Sequence, residues 1–469
     1  MIALQLSQIA AVTEGVIHSV GGVHDPGGLV VDGPVVTDSR QAGPGGMYVA
    51  RRGEHADGHD FVADAAARGA VAALTSRPVP ELPAVVVEDV ERAFGQVARA
   101  VIAAARDLTV VAITGSSGKT STKDLLGQVL AELGPTVAAE ESYNSEVGVP
   151  LTVVRVDEQT RYLVVEMGAR GPGHLSYLAA VAPPDIAVVL NVGAAHLGEF
   201  GSRDAVAAAK SELVQALSPS GLAILNADDP AVAAMAQRSP APVLLVGRDP
   251  AAAVRAEAVH LDSLARASFD LVSELAGRAG RASVRLRVHG EHHVANALAV
   301  AAVALTLGLP VEATAAALSN ATAASRWRME VIERADGVTI VNDAYNANPE
   351  SMQAALRALA TMAGGRRSWA ILGEMRELGA ASAREHAGVA RLAAELGIAR
   401  LVVVGEGARA AYDAALLSGR WQAPPLLVPD IHAAYDVVQA ELAGGDVVLL
   451  KASRDSGLRA LGDRLGGRG

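Results

Sequence analysis

The stretch Thr109-Val-Val-Ala-Ile-Thr-Gly-Ser-Ser-Gly-Lys-Thr-Ser121 decides the fold of the chain around it. Its first six residues form a mostly apolar run, which is typical of a strand buried on both faces of a parallel sheet. Beyond a glycine-rich turn, apolar residues recur on one face until Gly134, which predicts a helix from about Lys119. The order of strand, turn and helix predicts a loop whose backbone N–H groups and helix N-terminus bind phosphate.

The side chains of this loop supply what a nucleotide phosphate site needs. Lys119 would neutralise the β- and γ-phosphates, and the hydroxyl of Thr120 would hold Mg²⁺. The two glycines are closer together than in the usual Gly-x-x-x-x-Gly-Lys loop, so a glycine-rich turn with a chance lysine is the alternative. The flanking strand and helix favour the phosphate site. Its predicted nucleotide contacts are Gly115, Ser116, Ser117, Gly118, Lys119, Thr120 and Ser121.

Short predicted strands with helices between them continue along the chain, which favours an α/β fold. Residues 1–107 combine short strands with glycine-rich turns and form the first predicted domain. Residues 108–323 place the phosphate loop in a parallel sheet, and residues 324–469 alternate strands and helices as a small Rossmann-like domain does. Strands of these two domains are predicted at Thr109–Thr114, Tyr162–Glu166, Ile186–Leu190, Ala223–Leu225, Val243–Val246, Val338–Val341, Trp369–Leu372, Leu401–Val404, Leu426–Val428 and Val447–Leu450.

The composition limits the classes of protein to which the chain can belong. Its 469 residues include 40 Lys+Arg and 51 Asp+Glu, and the net charge of −11 disfavours general nucleic-acid binding. The absence of cysteine excludes disulfides and thiolate metal sites. The sequence shows neither the basic and apolar start of a signal peptide nor the ~20-residue apolar run of a membrane span. These properties predict a cytoplasmic protein without a membrane partner.

Lysine is rare in this chain. Four of the 40 basic residues are lysine, namely Lys119, Lys123, Lys210 and Lys451. Because arginine and lysine differ in charge shape and reactivity, a lysine kept in an arginine-biased chain is a candidate for a specific role. Lys210 lies on a predicted helix, where arginine would serve as a surface cation. The alternative is an unmodified lysine that caps the helix or pairs with Glu212.

Further motifs accompany the phosphate loop along the chain. They are Thr37-Asp-Ser-Arg40, Gly58-His-Asp-Phe61, Tyr143-Asn-Ser-Glu-Val-Gly-Val-Pro150, Glu166-Met-Gly168, Asn342-Asp-Ala-Tyr-Asn-Ala-Asn-Pro349 and Leu372-Gly-Glu-Met-Arg-Glu-Leu-Gly379. Together with Gly115-Ser-Ser-Gly-Lys-Thr-Ser-Thr-Lys123, they make the chain resemble the Mur ligases and their folylpolyglutamate synthase relatives. The resemblance spans essentially the whole chain. The last two motifs are the most specific to the branch that adds D-alanyl-D-alanine.

The resemblance implies an ATP-dependent ligase of cell-wall precursor synthesis. Such an enzyme would use ATP and two Mg²⁺ ions, form an acyl phosphate on a UDP-N-acetylmuramoyl tripeptide, and join it to D-alanyl-D-alanine. The three domains would then be a UDP-binding domain, a central ATPase domain and a C-terminal Rossmann-like domain, and we expect a monomer. One alternative is a sibling ligase that adds a single amino acid or glutamate. The other is a phosphate-binding regulatory module without ligase activity.

The resemblance also assigns residues to a metal centre. Glu166, at the carboxyl end of a predicted parallel strand, would be a Mg²⁺ ligand, because oxygen donors suit this hard cation. His196 would hold a second ion and take part in catalysis. Lys210 would join it as a carbamate, which a primary amine forms with CO₂ and a guanidinium cannot. Asn144 and Ser145 would hold substrate or phosphate nearby, although ordinary turn chemistry also accounts for them.

Three residues resemble the ATP contacts of the family. Arg328 would reach the phosphates, Asp343 the ribose and Asn296 the adenine side. Relatives often have glycine before this arginine, whereas this chain has Trp327, which calls the local backbone shape into question. A surface arginine and a turn aspartate are the alternative.

Uridine-diphosphate contacts are implied in the first domain. Ser39 and Arg40 resemble them, because the forked donors of arginine suit a diphosphate. His59 is a weaker candidate. Ordinary turn residues and a solvated arginine are the alternative.

Substrate contacts are also implied in the third domain, at Asn346, Asn348 and Lys451. The run Lys451-Ala-Ser-Arg454 replaces the Lys-Gly-Ser-Arg that is more usual in the family. It could contact the incoming dipeptide or a substrate carboxylate, and a structural role is the alternative.

Overall fold

The computed structural model describes residues 1–21, 24–53, 56–194 and 197–468. The first part of the chain forms a five-stranded sheet in the order β2-β7-β6-β5-β4, where β2 is antiparallel to β7 and the other neighbours are parallel. A separate antiparallel pair joins β1 and β3. The elements are β1 (Leu4–Gln5), α1 (Leu6–Thr13), β2 (Val16–His18), β3 (Val30–Val31), β4 (Val35–Val36), β5 (Met47–Val49), α2 (Val62–Ala67), β6 (Ala72–Thr75), β7 (Ala84–Val86) and α3 (Val90–Ala104).

The central part forms a nine-stranded sheet in the order β16-β15-β14-β13-β12-β11-β8-β10-β9. Neighbours from β9 to β14 are parallel, and β14, β15 and β16 are antiparallel. The elements are β8 (Thr109–Thr114), α4 (Lys119–Ala131), β9 (Thr136–Ala138), α5 (Gly148–Val153), β10 (Tyr162–Glu166), α6 (His174–Val181), β11 (Ile186–Val189), α7 (Leu197–Phe200), α8 (Arg203–Gln215), β12 (Leu222–Asn226), α9 (Pro230–Ala233), β13 (Val243–Gly247), β14 (Val254–Leu261), β15 (Arg266–Ser273), β16 (Gly280–His289), α10 (His293–Thr306) and α11 (Val311–Asn320).

The last part forms a six-stranded sheet in the order β17-β18-β22-β19-β20-β21. Its strands are parallel except for β17, a short edge strand that the sequence did not indicate. The elements are β17 (Glu330–Glu333), β18 (Thr339–Asn342), α12 (Pro349–Ala363), β19 (Ser368–Leu372), α13 (Ser382–Glu395), β20 (Arg400–Val404), α14 (Arg409–Ser418), β21 (Leu426–Val428), α15 (Ile431–Glu441), β22 (Val447–Lys451) and α16 (Leu458–Leu465).

Aliphatic side chains fill the cores of these sheets, as expected for a chain with 3% aromatic residues. The apolar helix α10 is buried along almost its whole length against the central sheet and α4. The α/β fold predicted from the sequence is therefore confirmed. Within the described residues, no helix is both long enough and apolar enough to traverse a bilayer.

The strand order of the central sheet decides where a ligand can bind. The strand β8 pairs with β10 on one side and with β11 on the other, so the connections leave β8 in opposite directions. Open α/β sheets bind ligands at such a point, outside the carboxyl ends of the strands. The phosphate loop follows β8, and Glu166 ends β10 at the same edge.

Candidate active site

The phosphate loop lies between β8 and α4, as predicted. Gly118 is the N-cap of α4 and has a φ of 81°, a left-handed conformation that glycine adopts without strain. A Cβ atom here would lie 2.6 Å from Oδ1 of Asn296, a buried residue of α10. Asn296 is therefore packed directly against the loop, which is compatible with its predicted contact to ATP.

The ammonium of Lys119 turns back onto its own loop. Its Nζ donates to the carbonyl oxygen of Gly115 at 2.8 Å. Burial lowers the pKa of Lys119, the carboxylate of Glu166 opposes this shift, and the cation of Arg328 adds to it. An anion between the two cations would relieve their repulsion, so the electrostatics of the site favour a phosphate.

The carboxylate of Glu166 is the centre of a network of oxygen atoms. Glu166 is 1% exposed, accepts from the Thr120 hydroxyl at 2.8 Å, and accepts from the Asn144 amide at 2.6 Å. The Thr120 hydroxyl also lies 2.7 Å from Oγ of Ser142. No group of three or more His, Cys, Asp or Glu side chains in the described chain could hold a metal by itself. The carboxylate and hydroxyls present fit Mg²⁺, which takes oxygen ligands and usually keeps waters and substrate phosphates in its shell.

The guanidinium of Arg328 extends from the third domain to this network. Its Nη2 donates to Oγ of Ser142 at 2.6 Å, and its Cζ lies over the Tyr345 ring, 4.2 Å from the ring centre. Its Nε is buried and has no hydrogen-bond partner among the described residues. Arg328 therefore keeps a donor for a ligand while Ser142 and Tyr345 hold its position.

Trp327 adopts the backbone shape that glycine would supply at this position. Its φ is 58°, in the left-handed region, which costs a non-glycine residue about 1–3 kcal/mol. The Trp327 backbone N–H donates to Glu330 at 3.0 Å, and its indole N–H donates to Asp463 at 3.0 Å. These bonds offset the strain, so the turn before Arg328 forms without glycine.

Asp343 and Lys451, predicted on separate grounds, form a buried ion pair. Their charged atoms are 2.6 Å apart, and Nζ of Lys451 also donates to the carbonyl oxygen of Asn346 at 3.0 Å. The other Asp343 oxygen accepts from the backbone N–H of Met329 at 3.0 Å. Lys451 thus holds two predicted contact residues together, and Asp343 ties the turn after Arg328 to the third sheet.

The start of α12 contacts the phosphate loop directly. Asn348 caps α12 by accepting from the Ser351 N–H at 2.8 Å, and its side-chain amide donates to the carbonyl oxygen of Ser116 at 3.1 Å. Glu350 accepts from the backbone N–H of Ala194 at 2.7 Å. Sequence reasoning predicted Asn348 as a substrate contact and missed Glu350. A glutamate in the first turn of a helix is common, so its sequence position carried no signal.

Asn191 was also missed as a residue of the site. Its Oδ1 accepts from the Ser117 N–H at 2.9 Å, its Nδ2 donates to the Ser117 carbonyl at 3.1 Å, and its own carbonyl accepts from the Ser116 N–H at 3.1 Å. It therefore holds the loop in shape. Its place just beyond β11, beside β8, is the signal that could have identified it.

Of the two residues predicted for a second metal ion, the structure describes only Lys210. His196 lies outside the described residues. Lys210 on α8 is 3% exposed, and its pKa is well below the ordinary value because of burial and the nearby charge of Lys119. A buried amine with a lowered pKa is uncharged more often than a surface lysine, which is what reaction with CO₂ requires.

The carboxylate of Glu212 is committed to another helix rather than to Lys210. It accepts from the backbone N–H groups of Gly173 at 2.7 Å and Ser176 at 3.0 Å, at the start of α6. No ion pair between Lys210 and Glu212 occurs in the part of the chain that the structure describes. The alternative in which Lys210 pairs with Glu212 is therefore not observed.

The predicted uridine-diphosphate contacts of the first domain make local bonds. Arg40 pairs with Asp38 at 2.6 Å, and 80% of its side chain is exposed. The ring of His59 lies 2.6 Å from Asp57 and accepts from the backbone N–H of Ser76 at 3.0 Å. Ser39 is buried in the same turn as Arg40. Their role in binding substrate stays a prediction.

A cleft of about 1540 Å³ is lined by residues from all three parts of the chain, including the network around Glu166. From the first domain, Thr37, Arg51 and Glu91 line it, whereas the three predicted uridine-diphosphate contacts are not among its described lining residues. Ser145 and Asn346 line it as well. The cleft thus joins the phosphate loop to surfaces of the first and third domains.

Family models match all three parts of the chain. "Mur ligase family, catalytic domain" matches residues 34–107, "Mur ligase middle domain" matches residues 113–304, and "Mur ligase, glutamate ligase domain" matches residues 327–454. A curated UDP-N-acetylmuramoyl-tripeptide--D-alanyl-D-alanine ligase of Mycobacterium tuberculosis is 47% identical over 99% of this chain and 98% of its own length. The chain belongs to the Mur ligase family. It is accordingly an ATP-dependent ligase.

Other relatives of this Mur ligase carry the same name. The protein of Mycobacterium leprae is 46% identical over 100% of this chain and 99% of its own, and that of Escherichia coli is 35% identical over 87% and 88%. Among solved structures, MurF from Acinetobacter baumannii matches with a TM-score of 0.85 and 31% identity over 99% of both chains. A MurF ligase from Thermotoga maritima in complex with ADP matches with a TM-score of 0.77 and 27% identity over 93% and 97%.

Proposed function

We propose that this Mur ligase joins D-alanyl-D-alanine to a UDP-N-acetylmuramoyl tripeptide and converts ATP to ADP and phosphate. The observation that carries the proposal is the network of Thr120, Glu166 and Asn144, which lies beside the cations of Lys119 and Arg328. Relatives that bear this activity in their names align with almost the whole chain. The reaction consumes ATP, and we place it in the cytoplasm, carried out by a monomer.

The reaction proceeds in two chemical steps. A carboxylate oxygen of the UDP-linked peptide attacks the γ-phosphorus of ATP, and the bond from this phosphorus to the ADP oxygen breaks to leave an acyl phosphate. The dipeptide nitrogen then attacks the acyl carbon, loses its proton, and phosphate departs with the electrons of the carbon–oxygen bond. Lys119 and Arg328 would face the charge that develops on the phosphoryl group, where electrostatic stabilisation and positioning are the main contributions of a protein.

Two Mg²⁺ ions are proposed for this site. Thr120 and Glu166 would hold the first ion, which supplies neutralisation of phosphate charge when bound. His196 and Lys210 are proposed for the second. The Lys210 nitrogen would bond to the carbon of CO₂ and lose a proton, which converts a cation into a carbamate with oxygen donors. Its burial and lowered pKa support this proposal.

The proposed contacts distribute the three substrates over the three domains, and both ATP and the peptide substrates would also be contacted from a neighbouring domain. Residues 1–107 would bind uridine diphosphate, residues 108–323 would bind ATP, and residues 324–469 would bind the dipeptide and close over the loop. The bond from Asn348 to the Ser116 carbonyl supports closure, because it joins the third domain to the phosphate loop. The remaining proposed contacts to ATP are Asn296, Arg328 and Asp343, and those to the peptide substrates are Ser39, Arg40, His59, Asn144, Ser145, Asn346, Asn348 and Lys451.

Phosphate release with defined substrates tests the proposal. We expect rapid release when ATP, a UDP-N-acetylmuramoyl tripeptide and D-alanyl-D-alanine are all present, with one amide formed per phosphate. If a single amino acid or glutamate replaces the dipeptide equally well, the sibling activity is correct. Slow ATP hydrolysis that neither peptide substrate changes would instead identify a phosphate-binding regulatory module.

A further inference from the structure

A buried ion pair on α4 plays no part in the chemistry described above. Nζ of Lys123 lies 2.6 Å from Oδ1 of Asp124, and their side chains are 1% and 3% exposed. Replacing a buried ion pair with apolar side chains is often neutral or stabilising, because desolvation of the charges offsets their attraction. Stability alone therefore does not explain these two charges, and their remaining bonds indicate what they do.

Asp124 binds the segment that leads to the third domain. Its two oxygens accept from the backbone N–H of Ser325 at 2.8 Å and from the Ser325 hydroxyl at 3.1 Å. One helical turn along α4, Gln128 donates to the Thr322 carbonyl at 2.8 Å and accepts from the Thr322 N–H at 3.1 Å. Residues 322–325 are therefore fastened to the phosphate-loop helix at both ends of the segment.

Lys123 binds a second segment, which directly follows β9. Its Nζ donates to the carbonyl oxygens of Ala139 at 2.5 Å and Glu141 at 3.5 Å. With Asp124, these oxygens make three acceptors around one ammonium, which has three donors. The flat fork of an arginine does not match such an arrangement, which explains a lysine here in an arginine-biased chain.

Both fastened segments lead to the same hydrogen bond in the active site. Ser142 follows Glu141 directly, and Arg328 is three residues beyond Ser325. The Arg328 guanidinium donates to Oγ of Ser142, which also contacts the Thr120 hydroxyl of α4. The ion pair on α4 therefore holds the segments that carry Arg328 and Ser142. The contact between these two residues places the Arg328 cation beside the phosphate loop.

We infer that Lys123 and Asp124 are positioning residues that hold Arg328 and Ser142 in register with the phosphate loop. This inference rests on the proposed function for the role of Arg328 and goes beyond it in assigning the residues that act through Arg328.

The test uses the full chain with Lys123→Met and Asp124→Leu combined, so that no uncompensated charge is buried. We expect a urea midpoint close to that of the wild type and a fall in kcat/KM for ATP of at least about tenfold. A displacement of about 1 Å at a positioned group can cost on the order of 100-fold. Hydrogen exchange at the Ser325 amide should become at least about tenfold faster, because its acceptor is lost.

Asp446→Asn is the matched control. The buried carboxylate of Asp446 pairs at 2.6 Å with Arg367, whose side chain is 37% exposed, and Asp446 directly precedes β22, at the end opposite to Lys451. This variant should lower the urea midpoint, because it breaks a buried interaction. It should keep kcat/KM for ATP within about twofold, because it leaves the positions of Arg328 and Ser142 unchanged. Ser325→Thr, which keeps the hydroxyl, should retain the wild-type rate, whereas Ser325→Ala should lose part of it.

Two results would overturn the inference. One is wild-type kcat/KM and unchanged Ser325 exchange in the double variant, and the other is an equal loss of kcat/KM in Asp446→Asn. Failure of the proposed function is a separate result, in which the wild type itself forms no amide. Equilibrium binding of ATP and exchange at Ser325 would then still decide the positioning role.

Discussion

The carboxyl edge of the central sheet and the turns of the first domain use polar side chains in different ways. At the sheet edge, Glu166 binds Thr120 and Asn144, which are 46 and 22 residues away in the chain. In the first domain, Arg40 binds Asp38, its near neighbour, and most of its side chain faces solvent. The site at the sheet edge is thus formed by distant parts of the chain, whereas the polar side chains of the turn bond to residues of the same turn.

Geometry explains this difference. Parallel strands end at one edge of a sheet, so the residues that follow neighbouring strands must meet there. A turn residue has no such constraint, and its side chain can bond to the backbone or to a residue two positions away. Predictions from strand ends are accordingly the firmer ones, and the experiments below test the two regions against each other.

The largest effect is expected for Lys119→Ala. This change removes the cation that we propose to face the β- and γ-phosphates, and loss of such stabilisation typically lowers the rate on the order of 10²–10³. Amide formation and phosphate release should both fall to this extent, with a urea midpoint near that of the wild type. Near-normal turnover of this variant would show that Lys119 of the phosphate loop does not take part in the reaction.

A smaller but large effect is expected for Lys210→Arg. The guanidinium cannot form a carbamate, and loss of a group that supports a metal typically costs about 10–100-fold in activity. Small carboxylic acids should partly restore activity to Lys210→Ala, since they return an oxygen donor to the cavity. Full activity of Lys210→Arg would exclude the carbamate and leave the ligase proposal intact.

The first domain offers a direct comparison between Arg51 and Arg40. Arg51 lines the cleft beside Glu91, with charged atoms 2.7 Å apart, whereas Arg40 lies outside the described lining. We expect Arg51→Ala to raise the KM for the UDP-peptide about tenfold, the size of one lost bond to a charged group. Arg40→Ala should raise it less than about threefold. The opposite ranking would show that exposed turn residues make the contact after all.

The smallest effect concerns the buried imidazole of His293 beside Asn296. Burial keeps the pKa of folded His293 well below its ordinary value of 6.5. The unfolded chain therefore binds a proton that the folded chain does not, and the free energy of unfolding falls as pH drops below about 6.5. His293→Gln should reduce this loss, by up to about 1.4 kcal/mol per pH unit. Urea unfolding at pH 7 and pH 5 measures it, and identical pH dependence in both proteins would contradict it.

Much of the site could be predicted because its residues follow recognisable strands. The loop after β8 and the glutamate that ends β10 were identified from an apolar run and a topology rule, and both lie where predicted. Asn191 follows β11 in the same way, yet it was overlooked because asparagine after a strand is also an ordinary turn residue. The short edge strand β17 was missed because its charged ends hide a pattern of only four residues.

The sequence by itself determined the α/β fold, the phosphate loop and the membership of a ligase family, because these depend on local periodicity and on motifs that are read along the chain. The tertiary structure alone decided which distant groups touch. The bond from Ser325 to Asp124 joins residues 201 positions apart, and that from Asn348 to Ser116 joins residues 232 apart. Such contacts depend on how whole domains dock, and no local pattern encodes the orientation of one packed sheet against another.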